Sequence, residues 1–149
     1  MKTKIVVDSS SNLYTLSGVD FVCVPLKIVT DDGEYLDTAE LDAVGMAQTL
    51  HSYKGKTGTS CPNVADWLAA YEGAEEVFVV TITGTLSGSY NAACVGREMV
   101  LERSPEKKIH IFDSESASAG ETLIALMLRD RIDGGHSFED IVAEMTAFI

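Results

Sequence analysis

EVFVVTITGTLSGSYNAACVGR, residues 76–97, changes character in its middle, and the change decides how the rest of the chain is read. Val77 to Ile82 is a short run of apolar, mostly β-branched residues, the composition of a strand buried on both faces of a parallel sheet. Thr83-Gly84-Thr85-Leu86-Ser87-Gly88-Ser89 follows, with small hydroxyl residues and two glycines, and a helix begins after it. A strand that ends in a hydroxyl-rich turn and a helix N-terminus presents unpaired N–H groups and the positive end of the helix dipole to one point in space. Such a point attracts an anion. Ser87 is also a residue type that caps helices by accepting a first-turn N–H, and on this stretch alone the two roles stand side by side. No Lys-Ser or Lys-Thr follows the glycine, and neither G-x-G-x-x-G nor G-x-S-x-G is present, so phosphate, carboxylate and sulfate are not distinguished.

The same design recurs on either side. Lys4 to Val7 is an apolar run opening into Asp8-Ser9-Ser10-Ser11-Asn12, and Lys108 to Phe112 opens into Asp113-Ser114-Glu115-Ser116-Ala117-Ser118. Phe21 to Val29, FVCVPLKIV, reads as another strand, with Pro25 marking an edge position or a bulge. Asp31 to Glu34 is a turn, after which Asp37 and Glu40 form a capping box for a helix to about His51, with Leu41, Val44, Met46 or Ala47, and Leu50 inward. Thr57-Gly58-Thr59-Ser60-Cys61-Pro62-Asn63 is a second hydroxyl-rich turn, and Pro62 suits the first turn of the helix that follows. Val64, Trp67, Leu68 and Tyr71 share one core face of that helix. Ser118 and Glu121 form a capping box for a helix over Leu123, Ile124, Met127 and Leu128 that stops at Gly134-Gly135. Ser137 and Asp140 start a last helix through Ile141, Val142, Met145 and Phe148, whose apolar end at Ile149 reads as cut and exposed.

Strands separated by amphipathic helices imply an α/β fold, a three-layer domain over residues 1–149 with a mostly parallel sheet of about four strands and helices on both faces. If the strands ending at Asp8, Thr83 and Asp113 are parallel, their hydroxyl-rich loops share one edge.

Composition removes several classes of function. Eleven basic against 23 acidic residues give a net charge of -12, which repels nucleic acid and anionic membrane surfaces. The three cysteines, Cys23, Cys61 and Cys94, form no C-x-x-C pattern, so neither a disulfide framework nor a metal site is expected, and a reducing cytoplasm is the expected setting. No segment approaches the roughly 18 apolar residues of a membrane span, and the N-terminal apolar run is too short for a signal peptide. His51 reads as a solvated helix-end residue and His110 as a surface or core residue, because neither has a partner at ligand or acid–base spacing. No cofactor is implied.

Five motifs in order resemble the DegV family of fatty-acid-binding proteins along the whole chain. They are Lys4 to Ser10 with Asn12-Leu13, Val24-Pro25-Leu26, Thr59-Ser60-Cys61-Pro62, Leu86-Ser87-Gly88-Ser89-Tyr90, and Asp113-Ser114 with Ser118 and Gly120. The resemblance implies a long-chain fatty acid held in a tunnel, its carboxylate bound by a threonine and a serine that fall on Thr59 and Ser87. It also implies, for some members, transfer of the acid to a fatty acid kinase that supplies the catalysis. Cys61 stands where the family usually has glutamine, Asn63 where it has serine, and Thr83-Gly84 where it has two serines. The family has two domains with the lipid between them, and this chain resembles the first alone.

The candidate ligand-binding set is therefore Thr59, Ser60, Ser87 and Gly88, with Asp8, Ser9, Ser10 and Ser114 at the ends of the flanking strands. No catalytic residue is expected. A rival reading makes the chain an enzyme on a small phosphorylated or carboxylated substrate with Asp8 as base or nucleophile, and the absence of a paired acid and base in sequence stands against it. An apolar cleft near Ser87, together with the apolar C-terminal helix end, is expected either to drive self-association or to leave fatty acid bound much more weakly than in a two-domain relative.

Overall fold

The run Glu76–Thr81 (β6) is buried at every residue, which is why it carries no polar alternation. In the computed structural model, which describes residues 1–149, it lies at the centre of a four-stranded parallel sheet. Thr3–Asp8 (β1) pairs with β6 on one side, Val6 opposite Val79, and Lys108–Asp113 (β7) pairs on the other, Val79 opposite Ile111. Asp20–Val24 (β2) completes the sheet outside β1, giving the order β2-β1-β6-β7.

Alternation along the strands divides the core in two. Val6, Val77, Val79, Ile109 and Ile111 pack under Val64–Ala70 (α2) and Ser89–Arg103 (α3), against Trp67, Tyr71 and Ala93. Ile5, Val7, Phe78, Val80 and Phe112 pack on the other face under Ala119–Asp133 (α4) and Phe138–Phe148 (α5), against Ile124, Leu128, Ile141 and Met145. This is the expected three-layer α/β domain. The helices α2 and α3 approach closely at Gly96, where a Cβ would stand 3.2 Å from Trp67 Cβ.

A second sheet departs from the sequence reading. FVCVPLKIV is not one strand: the chain leaves the parallel sheet at Pro25, and Lys27–Thr30 (β3) instead pairs antiparallel with Gly33–Leu36 (β4) and Thr57–Ser60 (β5). Proline has no N–H to continue a ladder, and the next N–H, that of Leu26, donates to Ser9 Oγ at 2.9 Å. Asp37 does not cap a helix, because its carboxylate accepts from the Tyr14 hydroxyl at 2.8 Å. The helix begins later, at Ala43–Ser52 (α1), where Asp42 accepts from the Gly45 N–H. Leu41, Met46 and Leu50 are half-buried, whereas Val44 is 70% exposed, so α1 buries none of its residues fully.

Caps elsewhere divide. Asn63 and Asp66 form a reciprocal capping box for α2, which leaves Pro62 before the helix rather than in its first turn. Ser137 caps α5, and α4 stops at Gly134, followed by Gly135 at positive φ. Ser118 does not cap α4. Its backbone sits at φ 55°, and its hydroxyl accepts from Asn12 Nδ2 at 2.7 Å. The apolar end of α5 is also less exposed than its sequence implied, since Ile141 and Met145 are core residues and only Phe148, 51% exposed, stands out.

Candidate functional site

The sheet order reverses between β1 and β6, and the loops after their carboxyl ends meet at that switch point, where open α/β sheets bind ligands. Two carboxylates hold the loop after β6 from either side. Asp8, wholly buried at the end of β1, accepts from the Ile82 N–H at 3.0 Å and the Ser89 hydroxyl at 2.6 Å through Oδ2, and from the Ser10 hydroxyl at 2.8 Å through Oδ1. Asp113, at the end of β7, accepts from the Gly84 N–H at 3.1 and 3.2 Å. A Cβ at Gly84 would stand 3.0 Å from Asp113 Oδ2, so a side chain there would have to push the carboxylate aside by a few tenths of an ångström.

This clamp changes which groups can meet a ligand. The N–H groups of Ile82 and Gly84 serve the two carboxylates, that of Thr83 donates to the Ser116 carbonyl, and those of Leu86 and Ser87 turn back to the Thr83 carbonyl. The Gly88 N–H, beside the first turn of α3, takes no acceptor within the protein. Ser87 Oγ accepts from the Ser89 N–H at 3.2 Å, which satisfies one first-turn donor and leaves the hydroxyl proton free to donate outward. Its two roles are thus compatible, although the N-cap position itself belongs to Gly88.

Opposite this loop stands β5. Thr59, in register with Ile28 on β3, lines a cavity of about 380 Å³ together with the polar residues Ser60, Ser87 and Gly88. Leu26, Ile82, Leu86 and Cys61 form the remaining wall, and Leu86 is 74% exposed at its mouth. The residues brought together are neutral donors beside apolar surface, a combination suited to a carboxylate with a hydrocarbon tail.

Asp8, Ser9, Ser10 and Ser114 lie outside this lining. Ser9 fixes Leu26, Ser10 bridges Asp8 to another side chain, and Ser114 closes its own loop through both the N–H and the carbonyl of Ser116. Asp8, with both oxygens taken by protein donors and no exposed surface, presents no face to a substrate. His51 ends α1, and His110 stands half-buried against Phe112, its pKa lowered by burial and by Arg97; neither lines the cavity. No group of three His, Cys, Asp or Glu side chains is placed to hold a metal ion.

The sequence reading missed Glu121. Beyond its contact with the Ser118 backbone N–H, the half of the expected capping box that forms, Glu121 is wholly buried, and the Ser10 hydroxyl contacts its Oε1 from 111 residues away in sequence. A signal was available: Glu121, Ile124, Ala125 and Leu128 are the buried residues of α4 and fall at helical spacing, so the acid sits on the core stripe.

The model of the DegV family matches residues 2–149. This chain belongs to the DegV family. A DegV domain-containing protein of Streptococcus pneumoniae is 41% identical over 152 residues, covering 99% of this chain and 54% of the relative. Among solved structures, the S. pneumoniae fatty acid kinase (Fak) B3 protein loaded with linoleic acid superposes with a TM-score of 0.95 at 41% identity, over 99% of this chain and 54% of that one. A DegV family protein from Eubacterium eligens loaded with heptadecanoic acid gives a TM-score of 0.94 at 37% identity, over 97% of this chain and 52% of its own. The chain therefore spans about half the length of these DegV relatives. No helix is long and apolar enough to cross a membrane.

Proposed function

We propose that residues 1–149 form a lipid-binding unit that holds the carboxylate of a long-chain fatty acid between Thr59 and Ser87 and presents the acid to a fatty acid kinase in the cytoplasm. The observation that supports this reading is that Thr59, Ser87 and Gly88, from two separate hydroxyl-rich turns, line one cavity with Leu26, Ile82 and Leu86. Fatty acids bound to DegV relatives of more than a third identity support it. Neutral donors suit a carrier, because each hydrogen bond to a charged oxygen contributes about 1.5–3 kcal/mol and can be given up on release. The tail contributes more, at roughly 0.8 kcal/mol per buried CH₂. Since the chain spans about half of each relative, full enclosure of the tail is assigned to the longer protein, and the head-group end is assigned to these residues.

Mass spectrometry of lipids extracted from protein purified without delipidation tests the reading directly. A long-chain fatty acid is the expected result. Recovery of none, together with no saturable binding of hexadecanoate in calorimetry, would overturn it.

A further inference from the structure

One hydroxyl proton lies between two buried carboxyl groups. Ser10 Oγ is 2.8 Å from Asp8 Oδ1 and also contacts Glu121 Oε1, and a hydroxyl can donate to only one of them. If both acids were ionised, one would face the Ser10 oxygen with no hydrogen between them, in a site where neither has exposed surface. The arrangement is satisfied when one acid keeps its proton and donates it to Ser10 Oγ, while Ser10 donates onward to the other.

The remaining partners decide which acid keeps it. Asp8 also accepts from the Ile82 N–H and the Ser89 hydroxyl, donors that stabilise a carboxylate. Glu121 is faced by fewer donors, the Ser10 hydroxyl and more weakly the Ser118 backbone N–H, and its Oε2 has no hydrogen-bond partner. Nothing cationic intervenes: no ion pair of the protein includes Asp8 or Glu121. The other titratable groups around the pair are Cys23 on β2 and, beyond it, Asp37 with its partner Tyr14. They report the same field, since burial, then Asp8, Asp37 and Glu121, push the Cys23 thiol up to about 12. Burial first and the Asp8 charge second push Glu121 up to about 8; a side-chain contact with Asp8 adds to them, and the Ser10 hydroxyl and the Ser118 backbone N–H oppose them.

The chain of contacts leads to the cavity. Glu121 on α4 reaches Ser10, Ser10 reaches Asp8, and Asp8 holds Ile82, which lines the cavity, and Ser89, whose N–H is held by the Ser87 hydroxyl oxygen. We propose that Glu121 is a positioning residue of the head-group site: its carboxyl proton, donated to Ser10, sets the donor that Ser10 gives to Asp8 and thereby the placement of the loop carrying Ser87. This rests on the reading of the Thr59 and Ser87 cavity as the carboxylate site. When Glu121 loses its proton to solvent, the single Ser10 hydrogen has two competing acceptors, Asp8 loses part of its support, and the loop it holds is loosened. Ligand affinity falls as that proton leaves.

The test compares the wild type, Glu121→Gln and Ser10→Ala between about pH 6 and about pH 9, a range that brackets the raised acid. Glutamine keeps a donor toward Ser10 at every pH and cannot ionise. The ratio of wild-type to Glu121→Gln hexadecanoate affinity is expected to fall on the order of tenfold across the range, the equivalent of one net hydrogen bond. The ligand's own ionisation is common to both proteins and cancels in the comparison. Amide resonances of Ile82 and Ser89 in the ligand-free protein supply a readout independent of binding. An inflection in the wild type that disappears in both variants supports the inference even if hexadecanoate fails to bind, a failure that would sink the proposed function alone. Superimposable affinity profiles in the wild type and Glu121→Gln, or no inflection at Ile82 and Ser89 in the wild type, overturn it.

Discussion

Replacing Asp8 with asparagine changes one oxygen for an NH₂ group and removes one charge, and the structure gives the cost. Asp8 accepts three hydrogen bonds, from the Ile82 N–H, the Ser89 hydroxyl and the Ser10 hydroxyl, all as an anion without exposed surface. Each bond to a charged acceptor contributes about 1.5–3 kcal/mol, and each neutral one about 0.5–1.5. The Ile82 N–H cannot rotate, so the asparagine oxygen must take the Oδ2 position and its NH₂ must face Ser10, whose hydroxyl then turns its hydrogen to Glu121. The Ile82 and Ser89 bonds become neutral, a loss of about 1 kcal/mol each, the Ser10 bond reverses, and Glu121, which keeps its proton in the wild type, offers no charge repulsion to relieve. The expected net destabilisation is about 2 kcal/mol, read as a lower urea midpoint at unchanged slope, with faster exchange of the Ile82 amide. Hexadecanoate affinity should weaken as well, although Asp8 does not line the cavity. A variant within about 0.5 kcal/mol of wild type and with unaltered Ile82 protection would refute the claim that Asp8 holds this loop.

Three further outcomes follow from the same geometry. Thr59→Ala and Ser87→Ala should each weaken hexadecanoate binding by about 1.5–3 kcal/mol with cooperative unfolding retained, and unchanged dissociation constants in both would move the head group elsewhere. Because the folded Glu121 pKa is raised from 4.5 to about 8, its contribution to stability is complete below about pH 4.5 and is lost as pH rises through the folded value, by at most about 1.4 kcal/mol per pH unit; Glu121→Gln should remove this slope in urea titrations, and an identical slope in both proteins would place the titration on another group. Gly84→Ala should lower hexadecanoate affinity in calorimetry, since its Cβ would meet Asp113 Oδ2 at 3.0 Å and push the loop outward; an affinity equal to wild type would show that the clamp tolerates the methyl group.

What could be read from the sequence was whatever is set locally. The runs at Lys4, Val77 and Lys108, the Ser137 cap and the Gly134-Gly135 stop all depend on neighbours within a few residues, and each forms as expected. The antiparallel sheet depends on distant partners. Thr57–Ser60 is exposed at every residue and has little strand character of its own, and it is a strand because Ile28 and its neighbours pair with it. The break in FVCVPLKIV likewise becomes intelligible only once Ser9 is seen to take the Leu26 N–H. Of the candidate residues, Thr59, Ser60, Ser87 and Gly88 come together on one cavity, as the two hydroxyl-rich turns suggest, whereas Asp8, Ser9, Ser10 and Ser114 lie outside it and have residue types that fit either ligand binding or loop fixation. Only their partners distinguish the two.

The small sheet has a kinetic consequence. Ser87 is tied into the parallel sheet through Ser89 and Asp8, whereas Thr59 stands on a fully exposed strand beside a helix with no buried residue. Free energies of local opening scale with the apolar contacts that must be broken, so β3 and β5 should separate from the body at far lower cost than global unfolding. Amides of Ile28 and Val29 should accordingly exchange much faster than those of Val6 and Val79. If, as proposed, a fatty acid is held between Ser87 and Thr59, it can leave whenever the yielding side opens. Its residence time is then governed by the stability of a few strand residues, and a partner that grips the small sheet could set the moment of release without touching the lipid.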